Sequence, residues 1–198
     1  MAVMTMERPE SAADVAWHDQ QLRHALVVRD LHDQIDPPEG YRVEIVEGKI
    51  TVSASPFGKH AHILARIRRA ILPTLPPQYE VYDNTTLEDP ELERYIPDLA
   101  IWPTTLIDTE TEWVFPGNQC LLAVEVTSPG QERRDYGKAA GYARSGVPIY
   151  LLIDRKQRVC IICTEPEGDR YKDRHELAFG KPVTLPLETP VTIETSEF

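Results

Sequence analysis

Leu121-Leu122-Ala123-Val124-Glu125-Val126-Thr127-Ser128 decides how this chain is read. The apolar run predicts a buried β-strand over residues 120–127, bounded by the turn signal Ser128-Pro129-Gly130. Glu125 stands in the middle of that strand. An ionised carboxylate without a partner in an apolar interior is so costly that folds keep one only beside a cation, a metal or hydrogen-bond donors.

Working outward, Ser128-Pro129-Gly130-Gln131 has the form of a capping box with proline at the first helical position. The helix it opens runs to about Ser145 and is closed by Gly146. Asp135, Lys138 and Tyr142 fall at i, i+3 and i+7, so one helical face presents an acid, an ammonium and a phenol. Lys138 could return to Glu125 or orient a water, although spacing alone favours an exposed ion pair with Asp135. Upstream, Ile96-Pro97-Asp98-Leu99-Ala100-Ile101-Trp102-Pro103 predicts a short strand bracketed by prolines. If that strand neighbours the one carrying Glu125, Asp98 and Glu125 meet at one end of a sheet. Such a pair, with waters, suits Mg²⁺, a hard octahedral cation. The alternative is that Asp98 caps a turn and Glu125 pairs with an arginine.

Elsewhere, Leu22, Ala25, Leu26, Val28 and Leu31 predict an amphipathic helix over 17–35, ended by Asp36-Pro37-Pro38-Glu39-Gly40. Residues 41–46 and 49–52 alternate around Glu47-Gly48 and predict a β-hairpin. Glu44 lies within it, where the alternation allows a solvent-facing side chain. A second helix is expected over 60–72, stopped by prolines 73 to 77. His60 and His62 open it; a helix N-terminus suits an anion, but lone histidines there are more often surface residues. Strands are expected at 79–82, 85–87, 149–153 and 158–164, with weaker ones at 170–175 and 183–185, and a loop at 104–118 containing Trp113 and Phe115. Residues 1–15 read as a disordered segment and 16–198 as a single α+β domain around one sheet.

Composition bounds the function. With 41% hydrophobic and 27% charged residues the chain resembles an ordinary soluble protein. No apolar run is long enough for a bilayer, and the first residues lack a signal-peptide profile, so a cytoplasmic location with no membrane partner is expected. A net charge of −11 disfavours tight non-specific binding to a polyanion, leaves room for a local basic cleft, and is compatible with an acidic site that holds a divalent cation. Cys120, Cys160 and Cys163 form no disulfide framework. Cys160-Ile161-Ile162-Cys163 has metal-site spacing but lies in a strand, which turns the two thiols to opposite faces; both read as packing residues. No helix-turn-helix, zinc-finger or RNA-binding signature is present.

Taken in order, Tyr41-Arg42-Val43-Glu44-Ile45-Val46-Glu47-Gly48-Lys49-Ile50, Ser55-Pro56, His60, Pro97-Asp98, Val124-Glu125-Val126-Thr127-Ser128-Pro129, Asp135, Lys138, Tyr142-Ala143 and Gly146-Val147-Pro148-Ile149-Tyr150-Leu151-Leu152-Ile153-Asp154 form a pattern. It resembles the Uma2 family of restriction-endonuclease-like proteins in the PD-(D/E)XK nuclease superfamily, over residues 20–198. The resemblance implies a restriction-endonuclease-like core, a mixed central β-sheet flanked by helices, with an N-terminal helix and β-hairpin. It implies a Mg²⁺ site, with Mn²⁺ as a substitute, held by Asp98 and Glu125 and by Glu44 directly or through water. Glu44 matches the first-motif acid, Asp98 the aspartate after proline, and Glu125 the third-motif acid. The superfamily lysine two residues after that acid is replaced by Thr127, and Lys138 matches the lysine that takes over from the following helix. His60 and Tyr142 match positions that could contact phosphate or substrate, and Asp135 a recurring position. The implied activity is hydrolysis of nucleic-acid phosphodiester bonds, DNA being the expected substrate, by a homodimer. Two rivals remain: a non-catalytic binding or scaffold module that retains the fold, and a hydrolase of small phosphate esters.

Overall fold

The structure, a computed structural model, describes residues 12–54, 58–106, 114–130 and 132–198. Residues 1–11 of the expected N-terminal segment, Ser55-Pro56, Trp113 and Gln131 lie outside the described residues. In chain order the elements are α1 (Ala12–His32), β1 (Tyr41–Val46), β2 (Lys49–Ala54), α2 (Lys59–Ile71), β3 (Tyr79–Tyr82), β4 (Thr86–Glu88), β5 (Arg94–Tyr95) and β6 (Leu99–Pro103). There follow β7 (Val114–Pro116), β8 (Leu122–Val126), α3 (Glu132–Arg144), β9 (Ile149–Asp154), β10 (Val159–Glu167), β11 (Arg170–Ala178), β12 (Val183–Leu185) and β13 (Val191–Ile193).

The strand read first from sequence, β8, is buried along its whole length. It lies inside a six-stranded mixed sheet of order β11-β10-β9-β8-β6-β3, parallel to β9 and antiparallel to β6. Burial on both faces explains why its sequence is a continuous apolar run and not an alternation. The alternation reappears in which core each residue joins. Leu122, Val124 and Val126 pack with Ile63, Ile67 and Ile71 of α2 and with Val183, Leu185, Val191 and Ile193 of the β12–β13 pair. Ala123 faces the other way, with Ala100, Trp102, Tyr150 and Leu152, toward Tyr142 of α3. Glu125, two residues beyond Ala123, shares that second face. Three fully buried isoleucines on α2 contribute roughly 1.5–3 kcal/mol each, enough to fix this helix on the sheet.

A second sheet of order β2-β1-β5-β4-β7 carries Glu44 on β1. Two of its strands were not expected. The two-residue β5 is too short for a periodic signal, and β7 interrupts the expected 104–118 loop by pairing parallel with β4. The β13 strand, also unexpected, is three residues long and is defined by its partner β12. Cys160 and Cys163 enter opposite cores, as strand periodicity requires. Helix α1 starts ahead of the expected Trp17, and its apolar residues do not form one buried stripe. Val28 is buried, whereas Trp17, Leu22 and Leu31 are at least half exposed. The helix is held near its C-terminal end, where His32 Nε2 lies 3.2 Å from the Val43 carbonyl and Arg94 pairs with Asp33. No helix among the described residues is long and apolar enough to cross a membrane.

Candidate active site

The β6–β8 register sets the geometry. Leu99 faces Val124 and Ala100 faces Ala123, so Asp98, just before β6, comes beside Glu125 at the end of the ladder. Asp98 Oδ2 accepts the Val126 backbone N–H at 2.9 Å, which ties the two strands at that point. Two cationic or ring partners also reach Asp98. Arg42 Nη1 lies 2.8 Å from Oδ1, and His60 Nε2 lies 2.9 Å from Oδ2. Burial raises the carboxyl of Asp98, but His60, Arg42 and Lys138 outweigh it and hold the group below its usual range.

Glu125 and Glu44 converge on one ammonium. Lys138 Nζ is 2.9 Å from Glu125 Oε1 and 2.8 Å from Glu44 Oε1, and all three side chains are about 98% buried. The expected i, i+3, i+7 face of α3 therefore exists, but it is turned inward. Lys138 does not form the exposed pair with Asp135 that spacing favoured, and Glu44 is not solvent-facing. Glu44 Oε1 also accepts the Ile96 backbone N–H at 2.8 Å. Tyr142 OH donates to Glu125 Oε1 at 2.6 Å. Burial works against the ammonium form, yet Glu125 and Glu44 more than compensate and hold the Lys138 pKa above its ordinary range. Glu125 is pushed up to about 8: burial is the main cause, and repulsion from Asp98, Glu44 and Asp135 adds to it against the pull of Lys138.

Asp135 Oδ2 accepts the Ser128 N–H at 3.2 Å, and its carboxyl is raised by burial. Thr127 cannot replace the missing lysine. Its side chain is buried and its Oγ1 accepts the Arg155 N–H at 3.0 Å. A polar cavity of about 20 Å³ lies among Glu44, Asp98, Glu125, Asp135, Arg134 and Lys138. That is room for one water or one small ion.

The chain belongs to the Uma2 family. The family's profile, described as "Putative restriction endonuclease", matches residues 28–196. A solved structure from Anabaena variabilis, titled "putative nuclease belonging to DUF820", superposes with a TM-score of 0.63 at 18% identity, covering 80% of this chain and 88% of that one. The fold is thus restriction-endonuclease-like. Among curated proteins none matches.

In this Uma2 chain the structure brings together Glu44, His60, Asp98, Glu125, Asp135, Lys138 and Tyr142 around one end of the β6–β8 pair, whereas His62, the other histidine at the start of α2, is exposed and stands apart from them. Sequence reasoning passed over Arg42 and Arg134. Arg42 carried a usable signal, since residues 42 and 44 lie on one face of a strand. Arg134, 3.9 Å from Glu44 Oε2 and 3.4 Å from Asp135 Oδ1, also carried a signal, since it lies four residues before Lys138 on the same helical face. Among the described residues no three histidine, cysteine, aspartate or glutamate side chains converge on one point, because their oxygens turn to Arg42, His60 and Lys138. The donor chemistry nevertheless fits a hard divalent cation: four carboxylates face three permanent cations around the cavity, and Glu125, raised mainly by burial, is also repelled by Asp98, Glu44 and Asp135.

Proposed function

We propose that this protein is a metal-dependent nuclease hydrolysing phosphodiester bonds of nucleic acid, with DNA as the expected substrate. One observation carries the reading: a fully buried lysine clamped between two glutamates, next to the aspartate that follows Pro97, in a chain of the Uma2 family. Asp98 and Glu125, with Glu44 directly or through water, would hold Mg²⁺ or Mn²⁺. Bound there, the cation would act as a Lewis acid on a phosphoryl oxygen.

The protein's own groups supply the rest. Lys138 has three N–H donors and spends two on Glu44 and Glu125, which leaves one for an attacking water or for the charge developing on phosphorus. Because its pKa is raised, it serves as a fixed positive donor and not as a base. Tyr142, whose phenol is held protonated by burial and by Glu125, orients Glu125 through Oε1 and leaves Oε2 for a ligand. Arg42 and His60 position Asp98. A homodimer would place two such sites on one duplex, and the exposed Trp17, Leu22 and Leu31 of α1 offer apolar surface for it.

A second reading also has its observation. Both oxygens of Asp98 and one oxygen each of Glu44 and Glu125 are already occupied by protein donors, as in a binding or scaffold module that kept the fold. Cleavage separates the two. Purified protein incubated with labelled DNA and RNA oligonucleotides in Mg²⁺ or Mn²⁺ should cut, and Asp98→Asn and Glu125→Gln should abolish cutting while remaining folded. Folded variants that cut like wild type would refute the site assignment. A wild type inert on all substrates would favour the module, and turnover confined to a chromogenic diester would favour a small-ester hydrolase.

A further inference from the structure

A chain of net charge −11 repels a polyanion over most of its surface, so any binding to nucleic acid must be concentrated where cations are left free. Many of its exposed cations are not free. Arg23 pairs with Asp19, Arg66 with Glu197, Lys156 with Glu132, Lys172 with Glu167 and Arg174 with Glu176. Lys49 and Arg133, like Arg69, Arg170 and Lys181, are exposed and make no ion pair among the described residues, and they alone of these five share a cleft with the carboxylate site. They line the same cleft, of about 400 Å³, between the β1–β2 hairpin and the start of α3.

That cleft adjoins the carboxylate cavity, and Arg134 lines both. Arg134 is loosely engaged. It stands 3.9 Å from Glu44 and 3.4 Å from Asp135, and its Nε is buried without a hydrogen-bond partner. A guanidinium with donors to spare suits a phosphate, which it can hold bidentately. Glu47 is the one acid in the cleft wall, against Lys49, Arg133 and Arg134, so the local balance is opposite in sign to that of the whole chain.

We infer that this cleft seats the phosphodiester backbone beside the scissile bond, with Lys49 and Arg133 neutralising flanking phosphates and Arg134 meeting the phosphate nearest the carboxylates. The inference rests on the nuclease reading and adds the path by which substrate reaches the site. It also accounts for an acidic protein acting on a polyanion: attraction is confined to the mouth of the site.

The test is fluorescence anisotropy of labelled single-stranded and duplex oligonucleotides with full-length protein in excess chelator, over a salt series. Wild type is compared with Lys49→Ala/Arg133→Ala and with the control Arg170→Ala/Lys181→Ala. The control removes the same charge from exposed positions at the start of edge strand β11 and just after it. Two lost phosphate contacts should lower the salt slope by about 1.4 for a single strand or 1.8 for a duplex. If the contacts vanish near 1 M salt, affinity at about 0.1 M falls roughly 25- to 60-fold. The control should stay near wild type. Equal behaviour of the two double variants, or no binding by wild type, overturns the seat. Cleavage is scored separately. Wild type that cuts while the cleft variant binds like the control sinks the seat alone, and wild type that binds through the cleft without ever cutting sinks the nuclease reading alone.

Discussion

Replacing Lys138 with methionine keeps the length of the side chain and removes its charge. The lysine is 2% exposed and is the shared cation of Glu44 and Glu125, at 2.8 and 2.9 Å. Breaking a buried pair from one side leaves an uncompensated buried charge, at a cost of about 3–5 kcal/mol. Here two carboxylates lose one cation, but each retains another donor: the Ile96 N–H for Glu44 and the Tyr142 hydroxyl for Glu125. The loss should therefore stay within that range and not double it. It should also depend on pH. From about pH 8 upward, where wild-type Glu125 gives up its proton beside Lys138, the variant must either keep two facing anions or hold that proton, whereas near pH 5 Glu125 is protonated with or without the lysine. Urea unfolding followed by circular dichroism at both pH values measures this. A Lys138→Met protein within about 0.5 kcal/mol of wild type at pH 8, which is the scatter of an ordinary surface substitution, would show that the ammonium is not what holds the two glutamates.

Glu125→Gln should flatten the pH dependence of stability. Glu125 titrates near 8 in the folded protein and near 4.3 in an unfolded chain, so the native state binds its proton more tightly. Its contribution to stability is full below about pH 4 and is lost as pH rises through about 8. Thermal melts across that window should show wild type losing more stability than the glutamine variant, and parallel curves would contradict the assignment. Arg144→Ala strips the buried Asp89 carboxylate of contacts at 2.6 and 2.8 Å, while the N–H groups of Glu91 and Glu93 remain on it. A loss of about 2–3 kcal/mol in urea unfolding is expected. Gly141→Ala gains helix propensity, worth roughly 0.5–1 kcal/mol, but its new methyl group overlaps the Tyr95 ring. Overpacking of about 1–3 kcal/mol should win, and a melting temperature at or above wild type would contradict the close approach of α3 to β5.

How much of this was legible in the sequence depended on how local each signal is. The run from Leu122 to Val126 and the alternation around Glu47-Gly48 specify their strands within a few residues, and the isoleucine spacing of α2 marks its buried face. The helical spacing of Asp135, Lys138 and Tyr142 put them on one face, but could not say whether that face turns to water or to β8. That depends on β8 and β9 pairing in parallel across α3, a contact between distant segments. Asp98 beside Glu125 was conditional on strand adjacency for the same reason. The β5, β7 and β13 strands were invisible because two or three residues carry no period, and they exist only through their partners. The spacing of the apolar residues of α1 predicts one stripe, yet the helix packs mainly near its C-terminal end and leaves several of them in solvent.

The central claim is that these carboxylates, although held by protein cations, still take up a divalent ion. Calorimetric titration of Mn²⁺ into the wild-type protein and into Asp98→Asn tests it most directly. Saturable binding to wild type, lost in the variant, is the predicted result. No heat of binding to a folded wild-type protein would contradict the claim and leave the cluster as a purely structural ion-pair network.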